Sequence, residues 1–335
     1  MPTHYLYGTI LTSEAVAANN RADNLGNTTT LQKVFLCDDL HTSVSAESIR
    51  FAIRYRFQLQ DYKVNRTYDS SLGKLDYLDA KRIGWSPENP EPFVDDDVMG
   101  FMLAEAAPQE QETPDPEPER QEPEQSGTGK KPKGKPVKKK GTTTKRTSPL
   151  AVGRAVSLRP YRGELSYNCV SGAKEEGALS LYSAEMHTTE YQYSFGLNLG
   201  DVVAKVNIAH LIDAIIDMPP VAGNHARFFY DFSPASVIFR LTACHSPKIQ
   251  NCFDHDEENR TYSLARLLNR VECGDVPASE LVVGGVVAGT EYGAKLRDAG
   301  AHVLDGVLKS AAEIKHRIAK LGEPFSVVNG KGGRS

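Results

Sequence analysis

Near the start of the chain the spacing of apolar positions changes twice. Tyr5 to Leu11 is a short apolar run of strand character, the stretch after it is largely polar, and Ile49, Ala52, Ile53 and Phe57 then recur at helical spacing. The pattern predicts a strand near Tyr5 to Leu11, a long loop, and a helix near Ser45 to Gln58. Farther along it predicts strands near Tyr193 to Leu199, Ser236 to Thr242 and Leu281 to Ala288, the last two rich in β-branched residues. Helices are expected near Asn207 to Asp217, Ser263 to Val271 and Val303 to Leu321. Strands separated by helices in this order make an α+β domain, and periodicity leaves the arrangement within that class open.

The first helix carries the candidate chemistry. Arg50 and Arg54 are neighbours on a face away from the apolar stripe, shared with Glu47. Ser43 or Ser45 can cap the exposed amides of the first turn, and such a helix start suits an anionic oxygen. Arginines on one amphipathic helix are ordinarily just solvated. What raises this helix above that reading is the preceding loop, Asn19-Asn20-Arg21-Ala22-Asp23-Asn24-Leu25-Gly26-Asn27 and then Gln32-Lys33, whose amide and cationic donors a plain core helix does not need. Asn20, Arg21, Lys33, Ser45, Ser48, Arg50 and Arg54 are therefore the candidate contacts to a phosphate backbone. A second candidate, Gly223-Asn224-His225-Ala226-Arg227, offers a glycine that lets backbone approach a ligand beside His and Arg donors. Taken alone it reads as a Pro/Gly loop leading into a strand.

Composition changes the picture in one region. A chain of 335 residues with 40% hydrophobic residues can bury a sizeable core, and the net charge of -4 conceals segregation. Pro87 to Glu124 is dominated by Glu, Asp, Pro and Gln, and Lys130 to Arg146 has many lysines and no acid. Ala106 to Ser148 is expected to be disordered, an insertion between elements of one domain. Its lysine run can hold nucleic acid through counterion release, yet the acidic run beside it can neutralise it, and a solvated linker is the favoured reading.

The remaining residues mostly exclude functions. No apolar run spans a bilayer and no signal peptide is visible, so a cytoplasmic protein without a membrane partner is expected. Five scattered cysteines are expected to stay reduced. Cys244, His245, Cys252 and His255 match no compact zinc spacing, and no metal or other cofactor is expected. The chain lacks G-x-S-x-G, H-E-x-x-H and Walker A patterns. Gly284-Gly285 falls outside the G-x-G-x-x-G order and is read as close packing of strand and helix.

Four segments in order carry a family resemblance: Asn20-Arg21 to Gln32-Lys33; Ser45-x-x-Ser48-Ile49-Arg50-x-Ala52-Ile53-Arg54; Glu190-Tyr191-Gln192-Tyr193-Ser194-Phe195-Gly196-Leu197-Asn198-Leu199; and Gly223-Asn224-His225-Ala226-Arg227-Phe228-Phe229-Tyr230-Asp231-Phe232. Together they resemble the CRISPR-associated backbone subunits of type I Cascade complexes, the Cas-seven family, and within it the DevR branch of type I-B systems. The resemblance runs from about Leu6 to Phe325 and leaves out Pro87 to Ser148.

That resemblance implies an RRM-like (ferredoxin-like) palm with inserted helical elements and a β-hairpin thumb. The thumb falls within Tyr161 to Thr189, where Gly and Ser punctuation suits a hairpin and equally suits a surface loop. The implied partition is 1–86 for the first part of the palm, 87–148 for the insertion, 149–192 for the thumb region and 193–330 for the remainder. The implied role is noncatalytic: a ribonucleoprotein subunit in antiviral defense that polymerises along guide crRNA. Gly223, Asn224, His225 and Arg227 give a second guide contact. Implied partners are crRNA, target DNA, further copies of itself, a Cas-five-type end-cap subunit and a large subunit. Two alternatives stand beside it: cleavage of bound RNA using Asp23, as in the related type III backbone proteins, and an autoregulatory nucleic-acid-binding protein, for which no base-reading helix-turn-helix stands out.

Overall fold

Tyr5–Thr12 is apolar on both faces, and both faces are covered. Leu6 and Ile10 belong to one core and Tyr7 and Leu11 to another, the alternation a central strand requires. In the computed structural model, which describes residues 4–19, 21–104, 143–169, 181–222, 229–256 and 260–321, this strand lies in the middle of a nine-stranded sheet. On one side follow Pro234–Thr242, Leu281–Gly285 and His302–Leu304. On the other follow Tyr191–Asn198, Ala155–Ser157, Asp39–Val44 and Lys33–Leu36, with Leu150–Val152 also pairing Tyr191–Asn198. Every pair is antiparallel except Leu281–Gly285 with His302–Leu304. Gly8 sits where a Cβ would come within 2.1 Å of the Phe195 ring, so the packing of this strand requires its absence.

The helices cover the sheet in two layers. Ile49, Ala52, Ile53 and Phe57 of Ala46–Leu59 share the first core with Ile208, Leu211 and Ile215 of Val206–Ile216 and Ile314 and Ile318 of Val307–Ala319. The second face is sealed by residues 249–253 and by the helices Ala265–Glu272 and Glu291–Asp298. Its polar strand residues are answered by that covering segment: Thr9 Oγ1 donates to the Ile249 carbonyl at 2.7 Å, and Gln192 Nε2 to the Phe253 carbonyl at 3.0 Å. Gly284 is the close-packing glycine its sequence suggests, since a Cβ there would stand 1.9 Å from Ser310 Oγ. The expected Leu281 to Ala288 strand stops at Gly285, whose φ of +93° turns the chain into a short 3-10 segment.

Two irregular regions differ from the sequence reading. The polar stretch expected to be a loop is a β-hairpin, Arg21–Leu25 with Thr28–Leu31, turning at Gly26 with φ +61°. Thr28–Leu31 pairs in parallel with Leu181–Thr189, which forms a long antiparallel hairpin with Glu164–Cys169. With Ala15–Ala17 these strands make a five-stranded sheet.

The second difference concerns the acidic stretch. Contacts divide the chain into one unit of Met1–Gly100 with Thr147–Ser335 and another of Phe101–Arg146. Val94–Met99, assigned from composition to the charged insertion, is a buried helix of the first unit. Of the segment expected to be disordered, residues 106–142 lie outside the described residues, and Thr143–Arg146 is a strand paired with Phe101–Ala104.

The consecutive acids of Val94–Met99 are buried because each meets a different set of donors. Asp95 accepts from the amides of Asn65 at 2.8 Å and Arg66 at 3.1 Å, and pairs with Arg54 at 3.3 Å. Asp96 accepts from Asn65 Nδ2 at 2.7 Å and pairs with Arg82 at 3.0 Å. Asp97 accepts from the amides of Val203 and Ala204 and from Asn207 Nδ2, at 2.9, 3.0 and 2.9 Å, at the start of Val206–Ile216. Burial, with Asp95 adding, raises Asp96 to about 6, against about 3.9 in an unfolded chain. The folded protein therefore keeps this proton longer than the unfolded one, and stability falls as pH rises from about 4 to 6. Asp96→Asn should remove that part of the slope, on the order of 2 to 3 kcal/mol; urea denaturation of both proteins across this range measures it, and parallel curves would refute the assignment.

Candidate nucleic-acid interface

The start of Ala46–Leu59 is capped as its sequence suggests. Ser45 is extended (φ −67°, ψ 148°), its Oγ accepts from the Ser48 amide at 3.2 Å, and the two hydroxyls lie 2.9 Å apart. The residue before the cap, Val44, pairs with Ala155, which places Arg154 beside the helix start. Arg154 is exposed and donates to Gln32 Oε1 at 2.9 Å and Ser43 Oγ at 3.2 Å. Hydroxyl, amide and guanidinium donors thus meet at this point, with the guanidinium supplied by a residue the sequence reading missed. Its only local signal is the Gly153-Arg154 break between two short strands, where the Gly153 amide bonds the Ser194 carbonyl at 2.7 Å.

The arginines of the helix itself point elsewhere. Arg50 donates to the carbonyls of Met99 at 2.8 Å and Leu150 at 2.9 Å and to Ser148 Oγ at 3.3 Å. Arg54 is largely buried against Asp95. Burial lowers the pKa of both, and Arg54 adds to the effect on Arg50. They are neighbours as expected, but the face they share is covered by the Val94–Met99 helix and the Leu150 strand. Their donors fasten the fold, which corrects the expectation that they lie open to a phosphate.

Lys33 is likewise engaged. It pairs with Glu185 of the Leu181–Thr189 strand and lies 4.7 Å from the centre of the Tyr161 ring, while Glu185 also accepts from the Leu31 amide at 2.7 Å. Burial foremost, then Glu185, raises the pKa of the Tyr161 phenol. These contacts tie the two hairpins together. Arg21 is exposed on its hairpin, as is Asp23, whose backbone carbonyl accepts from Thr30.

Asn20, Gly223, Asn224, His225 and Arg227 lie outside the described residues. Their flanks meet nonetheless: Asn19, buried, donates from Nδ2 to the Val221 carbonyl at 2.6 Å. Asn19, which opens the first segment, therefore lies beside Val221, two residues before the second. The root of the long hairpin is fixed by a buried polar cluster in which Thr42 Oγ1 meets His187 Nδ1 at 2.8 Å and the Tyr191 hydroxyl at 2.9 Å. Burial pushes His187 down to about 4, so it is neutral near pH 7.

The cysteine and histidine residues weighed for a metal go to different environments. Cys252 is in the second core, Cys244 is exposed, and His255 faces Glu190 at 3.4 Å. Among the described residues, no helix is long and apolar enough to cross a membrane.

Residues 10–263 match the family model described as CRISPR-associated negative auto-regulator DevR/Csa2. A curated relative from Myxococcus xanthus (strain DK1622), the CRISPR-associated protein Cas7/Cst2/DevR, is 38% identical over 314 residues, covering 91% of this chain and 94% of the relative. Among solved structures, a chain of a CRISPR RNA-guided surveillance complex superposes with a TM-score of 0.54 at 14% identity, over 93% of this chain and 99% of that one. A chain of such a complex in a pre-nicking state gives 0.57 at 15% identity, over 94% and 99%. The structural likeness at this identity is one of fold. The chain belongs to the CRISPR-associated Cas7/Cst2/DevR family.

Proposed function

We propose that this family member is a noncatalytic backbone subunit of a type I-B Cascade complex, lining up along crRNA through phosphate contacts that ignore sequence and presenting the guide for pairing with target DNA. The observation that carries this reading is the meeting of Arg154, Gln32, Ser43 and the capped Ser45 at one helix start, with the exposed Arg21 hairpin as a further contact to the guide backbone. Hydroxyl and guanidinium groups of this kind position a phosphate and read no base. Target choice then belongs to base pairing, as a subunit serving every spacer requires.

The RRM-like palm is supported by strand order. Along the chain come Tyr5–Thr12, the first helix, the broken strand at 150–157, Tyr191–Asn198, the Val206–Ile216 helix and Pro234–Thr242, and in space the fourth strand lies beside the first, then the third, then the second. The thumb is assigned to the hairpin of Glu164–Cys169 and Leu181–Thr189, whose tip lies outside the described residues. Further copies of the chain, a Cas-five-type end cap and a large subunit complete the proposed assembly. The surveillance-complex descriptions of its fold neighbours suit that setting.

The test is binding of the purified chain to two guides with unrelated spacers and to duplex promoter DNA. Equal affinity for both guides, with periodic protection from RNase along each, is the expected result. Preference for the promoter duplex would replace this reading with autoregulation, and shortening of the bound guide that is lost in Asp23→Asn would replace it with cleavage.

A further inference from the structure

A cleft of about 610 Å³ opens at the root of the long hairpin, between its strands and the Asp254–Asp256 and Thr261–Ser263 ribbon. Its floor is an ion-pair chain that is already committed. Arg159 donates to Glu190 Oε2 at 3.0 Å and to Glu14 Oε2 at 2.6 Å. Glu190 is fully buried; its Oε1 and His255 Nδ1, 3.4 Å apart, are two of the seven buried side-chain atoms that make no hydrogen bond among the described residues. The Glu164 carboxylate on the wall accepts from both the amide and the hydroxyl of Thr188, at 3.2 Å each.

Once these internal pairs are set aside, what faces the cleft is donor-rich. Arg162 and Arg260 line it, both are exposed, and neither has a hydrogen-bond or ion-pair partner among the described residues. Beside them stands the half-buried Tyr262 ring. Guanidinium pairs suit phosphate oxygens, and an aromatic face suits a base of any identity. The volume is within the roughly 300 to 1,000 Å³ of small-ligand sites.

We propose that this cleft seats one nucleotide of a single-stranded nucleic acid, its phosphodiester held by Arg162 and Arg260 and its base against Tyr262. It is a second site, separate from the helix start. Arg154 precedes the Ala155–Ser157 strand and Arg159 follows it, so about 10 Å of strand separates the two. The proposal holds for either source of the phosphodiester, guide RNA or target DNA, and does not depend on polymerisation along a guide.

Fluorescence anisotropy of the full chain with short oligouridine and oligothymidine tests it, comparing wild type, the Arg162→Gln/Arg260→Gln double variant, Tyr262→Leu and Arg154→Gln. The double variant should lose about tenfold in affinity and lower the slope of log K against log salt by about 1.4, two single-strand contacts. Tyr262→Leu should lose about tenfold with an unchanged slope. Melting temperature should hold in the double variant, since neither arginine has a partner to lose. Stronger binding of oligouridine assigns the site to RNA, and equal binding leaves both strands as ligands. A double variant that binds as wild type, with loss confined to Arg154→Gln, overturns the cleft and leaves the helix-start reading standing; wild type that binds neither oligomer overturns both.

Discussion

Replacing Asp97 with alanine is expected to destabilise the main unit by about 3 to 5 kcal/mol, the order expected when three donors lose their acceptor together. Asp97 is 0% exposed and receives the amides of Val203 and Ala204 and the side-chain amide of Asn207. Alanine removes the acceptor and leaves these donors facing apolar surroundings, each at about 1 to 3 kcal/mol where water does not reach. The loss is local in cause and wide in effect, because the donors sit where Val206–Ile216 begins and that helix packs in the first core. A unit of this size loses about 2 to 4 °C of melting temperature per kcal/mol, so a fall of roughly 10 °C is expected. Urea denaturation should show the midpoint displaced with the slope unchanged. A shift below about 0.5 kcal/mol, typical of a surface substitution, would mean that Asp97 does not hold the helix.

This carboxylate also shows where sequence reading stops. A run of like charges is ordinarily solvated because isolated acids cannot be buried. Asp95, Asp96 and Asp97 escape that rule by pointing at donors far along the chain, near Asn65, Arg82 and Val203, which no local pattern announces. The central strands and main helices were legible because their side chains alternate or recur against a core: Tyr5–Thr12, Ala46–Leu59 and Val206–Ile216 lie within a residue of their expected bounds. Arg21–Leu25 was not, since every one of its side chains is exposed and only backbone pairing makes it a strand.

Periodicity correctly put Arg50 and Arg54 on one helix face. It was silent on the Met99 and Leu150 carbonyls that occupy that face, because both come from elsewhere in the chain. Arg154 is the converse, a residue whose only local signal is the break at Gly153 and which topology carries to the helix start. The candidate interface was therefore readable as a place, through its serine cap, and only partly as a set of side chains.

The place and the side chains are separated by charge reversal. Arg21 and Arg154 are both exposed and lie in the proposed path of the guide backbone. The Arg21→Glu/Arg154→Glu double variant should bind crRNA about a hundredfold more weakly near 0.1 M salt, because two favourable phosphate contacts become repulsive. The slope of log K against log salt should fall by about 1.4, the share of two contacts to a single strand. Both changes should be the same for guides with unrelated spacers, since phosphate contacts carry no sequence information. Arg50→Gln supplies the contrast: its donors bind Met99 and Leu150, so it should lower the melting temperature and leave the salt slope alone. If instead Arg50→Gln flattened the salt slope and the double reversal left it unchanged, the guide would follow the face of the helix rather than its capped end, and the contact surface would have to be redrawn around Arg50 and Arg54.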